Sequence, residues 1–187
     1  EEPSKNSMKP IETIEQLDAV LASYAVYGVN IFQEQPDMML GTDDFAFIPL
    51  IQDNKPYSAE ILGYGLWVDQ NVAERYSTWN AEYTKIYYAN LVLHYLDKVT
   101  GTEKEKAILK ADAHFLRAYS MYTIALAHTL YYDGTNGDEL GICLKQTPSF
   151  EESAARATLA ETWDFIENDL QEALKITKPF IREDGMR

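Results

Sequence analysis

The chain has 187 residues, of which 46% are hydrophobic, and its formal net charge is −14. This hydrophobic share excludes a chain that is disordered by composition, and the length suffices for one domain or for part of a larger one. The negative charge disfavours nucleic acid and anionic lipid surfaces as partners, because both repel an acidic protein.

The first predicted helix spans about residues 13–24. Thr13 followed by Gln16 is a capping-box pattern, and apolar side chains then recur at helical spacing. An irregular segment follows, roughly residues 26–71, in which glycines and prolines repeatedly break regular structure. Because the same segment is rich in aromatic residues, we expect it to be functional or to pack across the core.

A helical hairpin is predicted over residues 78–132. Its first helix spans about residues 78–98 and is apolar on several sides, and a short break at Thr100–Thr102 follows it. Thr102 with Glu105 forms a second capping-box pattern, which opens a helix that reaches about Tyr132. Two long helices joined by so short a turn must run antiparallel.

The stretch from Lys110 to Asp133 is unusually apolar for a single helix. A surface helix carries one apolar stripe and one charged face. Here, apolar and aromatic residues point in several directions, and Arg117 lies in their midst. We therefore expect neighbouring helices to wrap this helix, which makes it the centre of a helical array.

A connector is predicted over residues 133–157, followed by a helix over residues 158–177. Thr158 with Glu161 forms the third capping-box pattern. This helix would be the first half of a second hairpin. The predicted fold class is all-α, with tetratricopeptide-like antiparallel helical hairpins and a long irregular aromatic loop, although no clean repeat of about 34 residues is visible.

Three helical segments carry a resemblance to a known family. They read WNAEYTKIYYAN (Trp79–Asn90), KADAHFLRAY (Lys110–Tyr119) and IENDLQEAL (Ile166–Leu174), and DELGICL (Asp138–Leu144) adds a connector. In order and spacing they resemble the SusD/RagB family of Bacteroidetes outer-membrane nutrient-binding lipoproteins. Within these segments, Cys143 stands where the family usually has proline, and Asp112 stands where it usually has glutamate. Neither departure threatens the fold.

The resemblance implies an α-α superhelix of which residues 1–187 form the N-terminal part. It also implies a cell-surface protein of the outer membrane, held there by a lipid anchor upstream of this chain. Such a protein binds an oligosaccharide or another nutrient and acts as a lid on a SusC-like TonB-dependent transporter. The implied role is non-catalytic, and no cofactor is expected.

Arg117 is the most informative single residue, because an unpaired buried charge is very costly. We expect it to form a structural ion pair, with either Asp169 or Asp97 as its partner. Contact with a ligand or a partner protein is the less favoured alternative. Asn90 faces the same choice, and we expect it to satisfy backbone groups of a helix or loop.

Tyr57, Tyr64 and Trp67 are the candidate ligand-binding residues. Flat aromatic rings stack on the apolar faces of sugars, and functional residues concentrate in loops. The alternative, that these side chains cover the helical core, is favoured over the ligand role. Tyrosines on the predicted helices are assigned to the core or to a partner interface; they are Tyr83, Tyr87, Tyr88, Tyr119 and Tyr122.

No metal site is expected, because the three histidines are scattered and the acidic residues of the connector lack EF-hand spacing. Two other functions remain open. One is a helical-repeat scaffold that binds a protein or peptide. The other is an α-helical glycoside hydrolase with paired carboxylates, although chance pairs are inevitable among 30 acidic residues.

Overall fold

A computed structural model describes residues 10–22, 77–149, 151–152 and 154–176. The α-helices in these ranges are α1 (Ile14–Ala22), α2 (Ser77–Tyr95), α3 (Glu103–His128) and α4 (Leu159–Leu174). A 3-10 turn, Leu96–Lys98, continues α2. The described ranges contain no strand beyond two isolated bridges, so the fold class is all-α, as predicted.

Complete capping boxes begin α3 and α4. The Thr102 hydroxyl accepts a hydrogen bond from the Glu105 N–H, and the Glu105 carboxylate accepts one from the Thr102 N–H at 2.8 Å. Thr158 and Glu161 repeat this reciprocal pair at the start of α4, again at 2.8 Å. Each box satisfies two backbone donors that a helix start would otherwise leave without acceptors.

The helices pack as an array with α3 in its middle, between α2 and α4. One core cluster joins α1 to the turn end of the α2–α3 hairpin and comprises Ile14, Leu17, Leu21, Val92, Leu96, Val99, Leu109 and Ala113. The second lies between the hairpin, the connector and α4, and comprises Ile86, Ala118, Met121, Ile124, Ala125, Ile142 and Ile166.

Neighbouring helices pack against α3, as predicted, but they leave part of its apolar surface uncovered. Three of its large apolar side chains remain exposed, Phe115 by 43%, Tyr122 by 41% and Leu126 by 51%. The helices described against α3 leave one side open, and Leu170 and Leu174 of α4 are exposed as well. We call these five side chains the open apolar face.

The predicted helix ends also differ from the observed ones. Helix α3 ends at His128 rather than at Tyr132, because the backbone becomes extended at Thr129, with φ −125° and ψ 168°. Helix α4 is described to Leu174, short of the predicted residue 177. The predicted residues 23–24 of the first helix and the predicted loop 26–71 lie outside the described residues.

The connector passes close against the start of α4. The Gly141 N–H donates to the Ala157 carbonyl oxygen at 2.7 Å. A Cβ atom at position 141 would lie 2.1 Å from Thr162 Oγ1 and 2.4 Å from the Thr158 carbonyl oxygen, so only glycine fits. The Ile142 N–H donates to the same Thr162 hydroxyl at 3.1 Å, and Ile142 enters the second core cluster.

In the part of the chain that the structure describes, no helix combines the length and the apolarity needed to cross a bilayer. The longest, α3, has 26 residues, and its middle carries a buried arginine. That arginine belongs to a polar network between the helices.

Candidate functional site

Arg117 and Asp169 form a bidentate pair between α3 and α4. Arg117 Nε donates to Asp169 Oδ2 at 2.6 Å, and Arg117 Nη2 donates to Oδ1 at 2.7 Å. Only 7% of the arginine and 4% of the aspartate are exposed. This fork geometry is the strongest form of arginine–carboxylate pairing.

Asn90 and His114 complete the network around this pair. Arg117 Nη1 donates to Asn90 Oδ1 at 2.7 Å. His114 Nδ1 lies 2.8 Å from Asp169 Oδ1 and donates to it, since an ionised carboxylate only accepts. The guanidinium also lies over the ring of Phe165, 5.1 Å from its centre. We call Arg117, Asp169, Asn90 and His114 the polar hub.

The hub keeps Asp169 ionised. Burial alone raises the pKa of this carboxyl, but the hydrogen bonds and charges of Arg117 and His114 outweigh burial, and its pKa is lowered. Of the two carboxylates considered for Arg117, the structure places Asp169 against it, whereas Asp97 is exposed on the 3-10 turn. The charges of the hub therefore satisfy one another inside the protein.

The hub reaches the connector through Asn90. Its Nδ2 donates to the carbonyl oxygens of Lys145 and Thr147, at 3.1 and 3.3 Å. Two helix turns away, the Tyr83 hydroxyl donates to the Cys143 carbonyl oxygen at 2.8 Å and accepts from the Cys143 N–H at 3.0 Å. Burial raises the pKa of this phenol, so the hydroxyl stays protonated. Two side chains of α2 thus fix the path of the connector.

A cavity of about 590 Å³ lies between α2 and the connector. Its lining combines aromatic rings with small polar side chains, and comprises Trp79, Asn80, Tyr83, Thr84, Tyr87, Tyr88, Asn90, Cys143, Lys145, Thr147, Ser149 and Ala154. This volume is within the usual range for small-molecule sites, roughly 300–1,000 Å³.

One wall of the cavity is an aromatic stripe, Trp79, Tyr83 and Tyr87. Residues four apart share one helix face, so these three rings lie above one another along α2. The ring centres of Trp79 and Tyr83 are 4.8 Å apart, and the His128 ring packs edge-on against Trp79 at 5.1 Å. Trp79 and Tyr83 are therefore held in place by ring contacts.

The other predicted site residues have different outcomes. Tyr57, Tyr64 and Trp67 lie outside the described residues. Arg117, Asp169 and Asn90, which were assigned structural roles, are brought together in the polar hub. Tyr83 and Tyr88 of α2 pack against the core clusters, as predicted, but together with Tyr87 they also line a cavity that the sequence did not predict. The four-residue spacing of Trp79, Tyr83 and Tyr87 is the sequence feature that indicates a shared aromatic face on α2.

A buried lysine was also missed. Lys85 is fully buried on α2, and its ammonium donates to Glu82 Oε1 at 2.7 Å. Burial of a lysine requires a carboxylate partner, and the three-residue spacing on one helix supplies it. Among the residues that the structure describes, no group of three or more His, Cys, Asp or Glu side chains is placed to hold a metal ion.

Several solved structures share this fold. A SusD superfamily protein from Bacteroides vulgatus ATCC 8482 matches with a TM-score of 0.70 at 17% identity, and a second from Bacteroides thetaiotaomicron VPI-5482 with 0.62 at 16%. A SusD-like carbohydrate binding protein from Bacteroides vulgatus ATCC 8482 matches with 0.65 at 18%. The matches cover 92%, 87% and 92% of this chain, but only 39%, 37% and 38% of those proteins.

A search of curated proteins finds no match. The family comparison is decisive, since a SusD-like family model described as "Starch-binding associating with outer membrane" matches residues 1–178. That match spans nearly the whole chain, and it includes the three helical segments and the connector on which the resemblance was based. The chain therefore belongs to the SusD-like family.

Proposed function

We propose that the protein binds an oligosaccharide or another nutrient at the cell surface, without catalysis, and delivers it to a SusC-like TonB-dependent transporter. Membership of a family described as starch-binding and outer-membrane-associated supports the ligand class and the location. A structural neighbour named as a SusD-like carbohydrate binding protein supports the ligand class further. The chain spans about two-fifths of that neighbour, so the proposal concerns the whole protein.

The observation that carries the proposal is the aromatic-walled cavity beside α2. Aromatic rings bury the apolar C–H faces of sugars, whereas hydroxyl and amide groups bond the sugar hydroxyls. The lining supplies both kinds of group. Its described members include no carboxylate, so they offer neither the acid nor the nucleophile of a glycosidase, which supports a binding role.

Tyr57, Tyr64 and Trp67 remain part of the proposal as further stacking residues. They belong to an aromatic-rich segment with repeated glycines, a composition typical of functional loops. Replacing Trp67 by alanine should weaken glycan binding if this assignment is right. Unchanged affinity for every glycan would remove these three residues from the binding site.

The experiment that tests the proposed function uses the full-length protein. Titration calorimetry against a set of hexasaccharides should detect binding without any cleavage of the glycan, and chromatography of the same samples checks for products. Solubilised outer membranes should yield a TonB-dependent transporter when the protein is captured. Absence of all glycan binding, release of shorter sugars, or a full-length gene product that stays in the cytosol would each contradict the proposal.

A second candidate function, a scaffold for another protein, is favoured by the open apolar face. Phe115, Leu170 and Leu174 border a shallow groove of about 380 Å³ between α3 and α4. Exposed apolar clusters of this kind commonly mark protein contacts. If Phe115→Ser abolished transporter capture but left glycan binding intact, this face would be the contact surface and the two functions would coexist.

A further inference from the structure

We propose that Asn90 is a positioning residue for ligand binding, because its amide fixes the connector side of the cavity against the polar hub. The inference rests on the proposed function and deepens it, since it names the group that holds one side of the same site in place. We call residues 143–149 the connector wall, because four of them line the cavity from that side.

The orientation of the Asn90 amide is determined by its partners. Arg117 has donors only, so the atom that lies 2.7 Å from Arg117 Nη1 must be the Asn90 oxygen. The amide nitrogen then faces the connector, where the carbonyl oxygens of Lys145 and Thr147 accept from it at 3.1 and 3.3 Å. A flipped amide would lose all three hydrogen bonds, and only 1% of Asn90 is exposed to water that could replace them.

The arginine that orients this amide is itself fixed. Arg117 Nε and Nη2 both donate to the Asp169 carboxylate, which leaves Nη1 pointing at Asn90. A bidentate pair sets the plane of the guanidinium as well as its position. Asp169 of α4 therefore orients Arg117 of α3, which in turn orients Asn90 of α2. The direction in which Asn90 donates is thus set by three helices and does not depend on a ligand.

Asn90 holds a different part of the connector wall from the part that Tyr83 holds. The Tyr83 hydroxyl bonds both backbone groups of Cys143, at the start of the wall. Asn90 bonds the carbonyl oxygens two and four residues further along. The Thr147 N–H also donates to the Glu152 carboxylate at 3.2 Å, but this contact lies within the connector and would move with it. Loss of the Asn90 donor therefore loosens the middle of the wall on α2 while Cys143 stays in place.

A looser connector wall changes the cavity itself. Lys145 and Thr147, whose carbonyl oxygens accept from Asn90, both line the cavity. A site whose supporting contacts are loosened binds more weakly, because the wall must then be ordered when the ligand binds. Asn90 therefore acts on affinity through the position of the wall, since its nitrogen already donates to the connector.

The test compares wild-type full-length protein with Asn90→Asp by titration calorimetry, with maltohexaose, xylohexaose and cellohexaose as probes. Aspartate keeps the acceptor for Arg117, and the nearby guanidinium favours its ionised form. An ionised carboxylate cannot donate to the connector, so the hub is kept while the wall is released. Affinity for each probe that the wild type binds should fall by at least about tenfold.

Asn168→Asp is the matched control, because it adds the same charge at an exposed position of α4. Its affinity for the same probe should stay within about twofold of the wild type. An equal loss in both variants would mean that the added charge alone weakens binding, and it would overturn the inference.

Hydrogen exchange separates positioning from a general loss of stability. In Asn90→Asp, amide exchange should accelerate in residues 143–149 and stay close to the wild-type rate in α3 and α4. An equal acceleration in the wall and in both helices would show that Asn90 acts only through folding stability, and the inference would be overturned.

Asn90→Ser covers the case in which the added charge prevents folding. Serine is neutral and smaller, so a water molecule can take the place of the lost amide oxygen beside Arg117. The serine hydroxyl ends one bond short of the Asn90 nitrogen, so the same loss of affinity and the same exchange pattern are expected. Unchanged affinity in a folded Asn90 variant would overturn the inference and leave the proposed function standing. No binding of any hexasaccharide by the wild type would overturn both proposals.

Discussion

The two sides of helix α3 contrast sharply. On one side, Arg117 and His114 are buried and take part in the polar hub with Asp169. On the other, Phe115 and Tyr122 lie on the same helix but remain more than 40% exposed. Charged residues are therefore inside and large aromatic residues outside, the reverse of the usual distribution.

The contrast teaches that neighbours, and not hydrophobicity alone, decide burial in a stacked helical array. The hub side faces α2 and α4, whose Asn90 and Asp169 accept a hydrogen bond from each of the three guanidinium nitrogens. An apolar core could not supply these acceptors. The open apolar face has no such cover among the described residues. In stacked repeat architectures each layer contacts only its neighbours, so an apolar outer face is where another layer packs.

Removal of Asp169 is the largest expected disruption of the hub side. Asp169→Ala leaves the Arg117 guanidinium and the His114 ring in a buried place without their acceptor. We expect the free energy of unfolding to fall by about 3–5 kcal/mol, as for other broken buried pairs. Urea denaturation followed by circular dichroism measures this change.

Asp164→Ala is the matched control, because Asp164 is an exposed carboxylate on the same helix. Its effect should stay within about 0.5 kcal/mol. If the two alanine variants had similar stabilities, the hub would not be a structural network and the contrast between the two sides of α3 would fail.

Acid should weaken the same network to a smaller extent, since protonation removes the charge of Asp169 but not its side chain. The pKa of Asp169 is lowered below its ordinary 3.8 in the folded protein. Its contribution is therefore fully present above about pH 4 and is lost as the pH falls through the folded value. The stability gap between wild type and Asp169→Asn, measured by urea denaturation, should be constant near neutrality and narrow below about pH 4. A gap that stays constant down to pH 2.5 would contradict this assignment.

Tyr83→Phe tests the extension of the hub side to the connector. The change keeps the ring but removes the hydroxyl that bonds both the N–H and the carbonyl oxygen of Cys143. We expect the free energy of unfolding to fall by about 1–2 kcal/mol, because the Cys143 N–H and carbonyl oxygen stay partly buried and lose the hydroxyl as a hydrogen-bond partner. Thermal unfolding against a Tyr131→Phe control, in which the tyrosine is 86% exposed, measures the difference. Equal effects would show that the connector is held by other contacts.

The smallest effect is expected on the open apolar face. Phe115→Ala removes a ring that is 43% exposed, so little buried area is lost and the free energy of unfolding of this chain should fall by less than about 1.5 kcal/mol. Urea denaturation measures this loss. A loss near that of Asp169→Ala would mean that the face is covered, and the contrast would then disappear.

The sequence sufficed for the helices and for their order. Capping boxes at Thr102 and Thr158 are local patterns, and both are present in the structure. The predicted end of α3 is too late, because apolar residues continue to Tyr132 in the sequence although the backbone becomes extended at Thr129. Helical periodicity could not show which side of α3 lacks a neighbour.

The cavity was missed for a different reason. It forms between α2 and a connector that lies 60 residues later in the chain, as in the Tyr83–Cys143 hydrogen bond. Trp79 and Tyr83 do pack against the second core cluster, but helical spacing does not show that their helix face also borders a cavity. Arg117 was easier to interpret, since a buried charge requires a partner wherever it is placed.

The close passage of the connector at Gly141 limits how this part of the protein can change during evolution. A methyl group there would collide with the Thr162 side chain and also with the Thr158 backbone carbonyl. A smaller residue at position 162 relieves only the first collision, because no substitution shortens a carbonyl. Relatives that keep the connector against the first turn of α4 should therefore retain glycine here even as Thr162 varies, and loss of this glycine in a lineage would mark a re-routed connector.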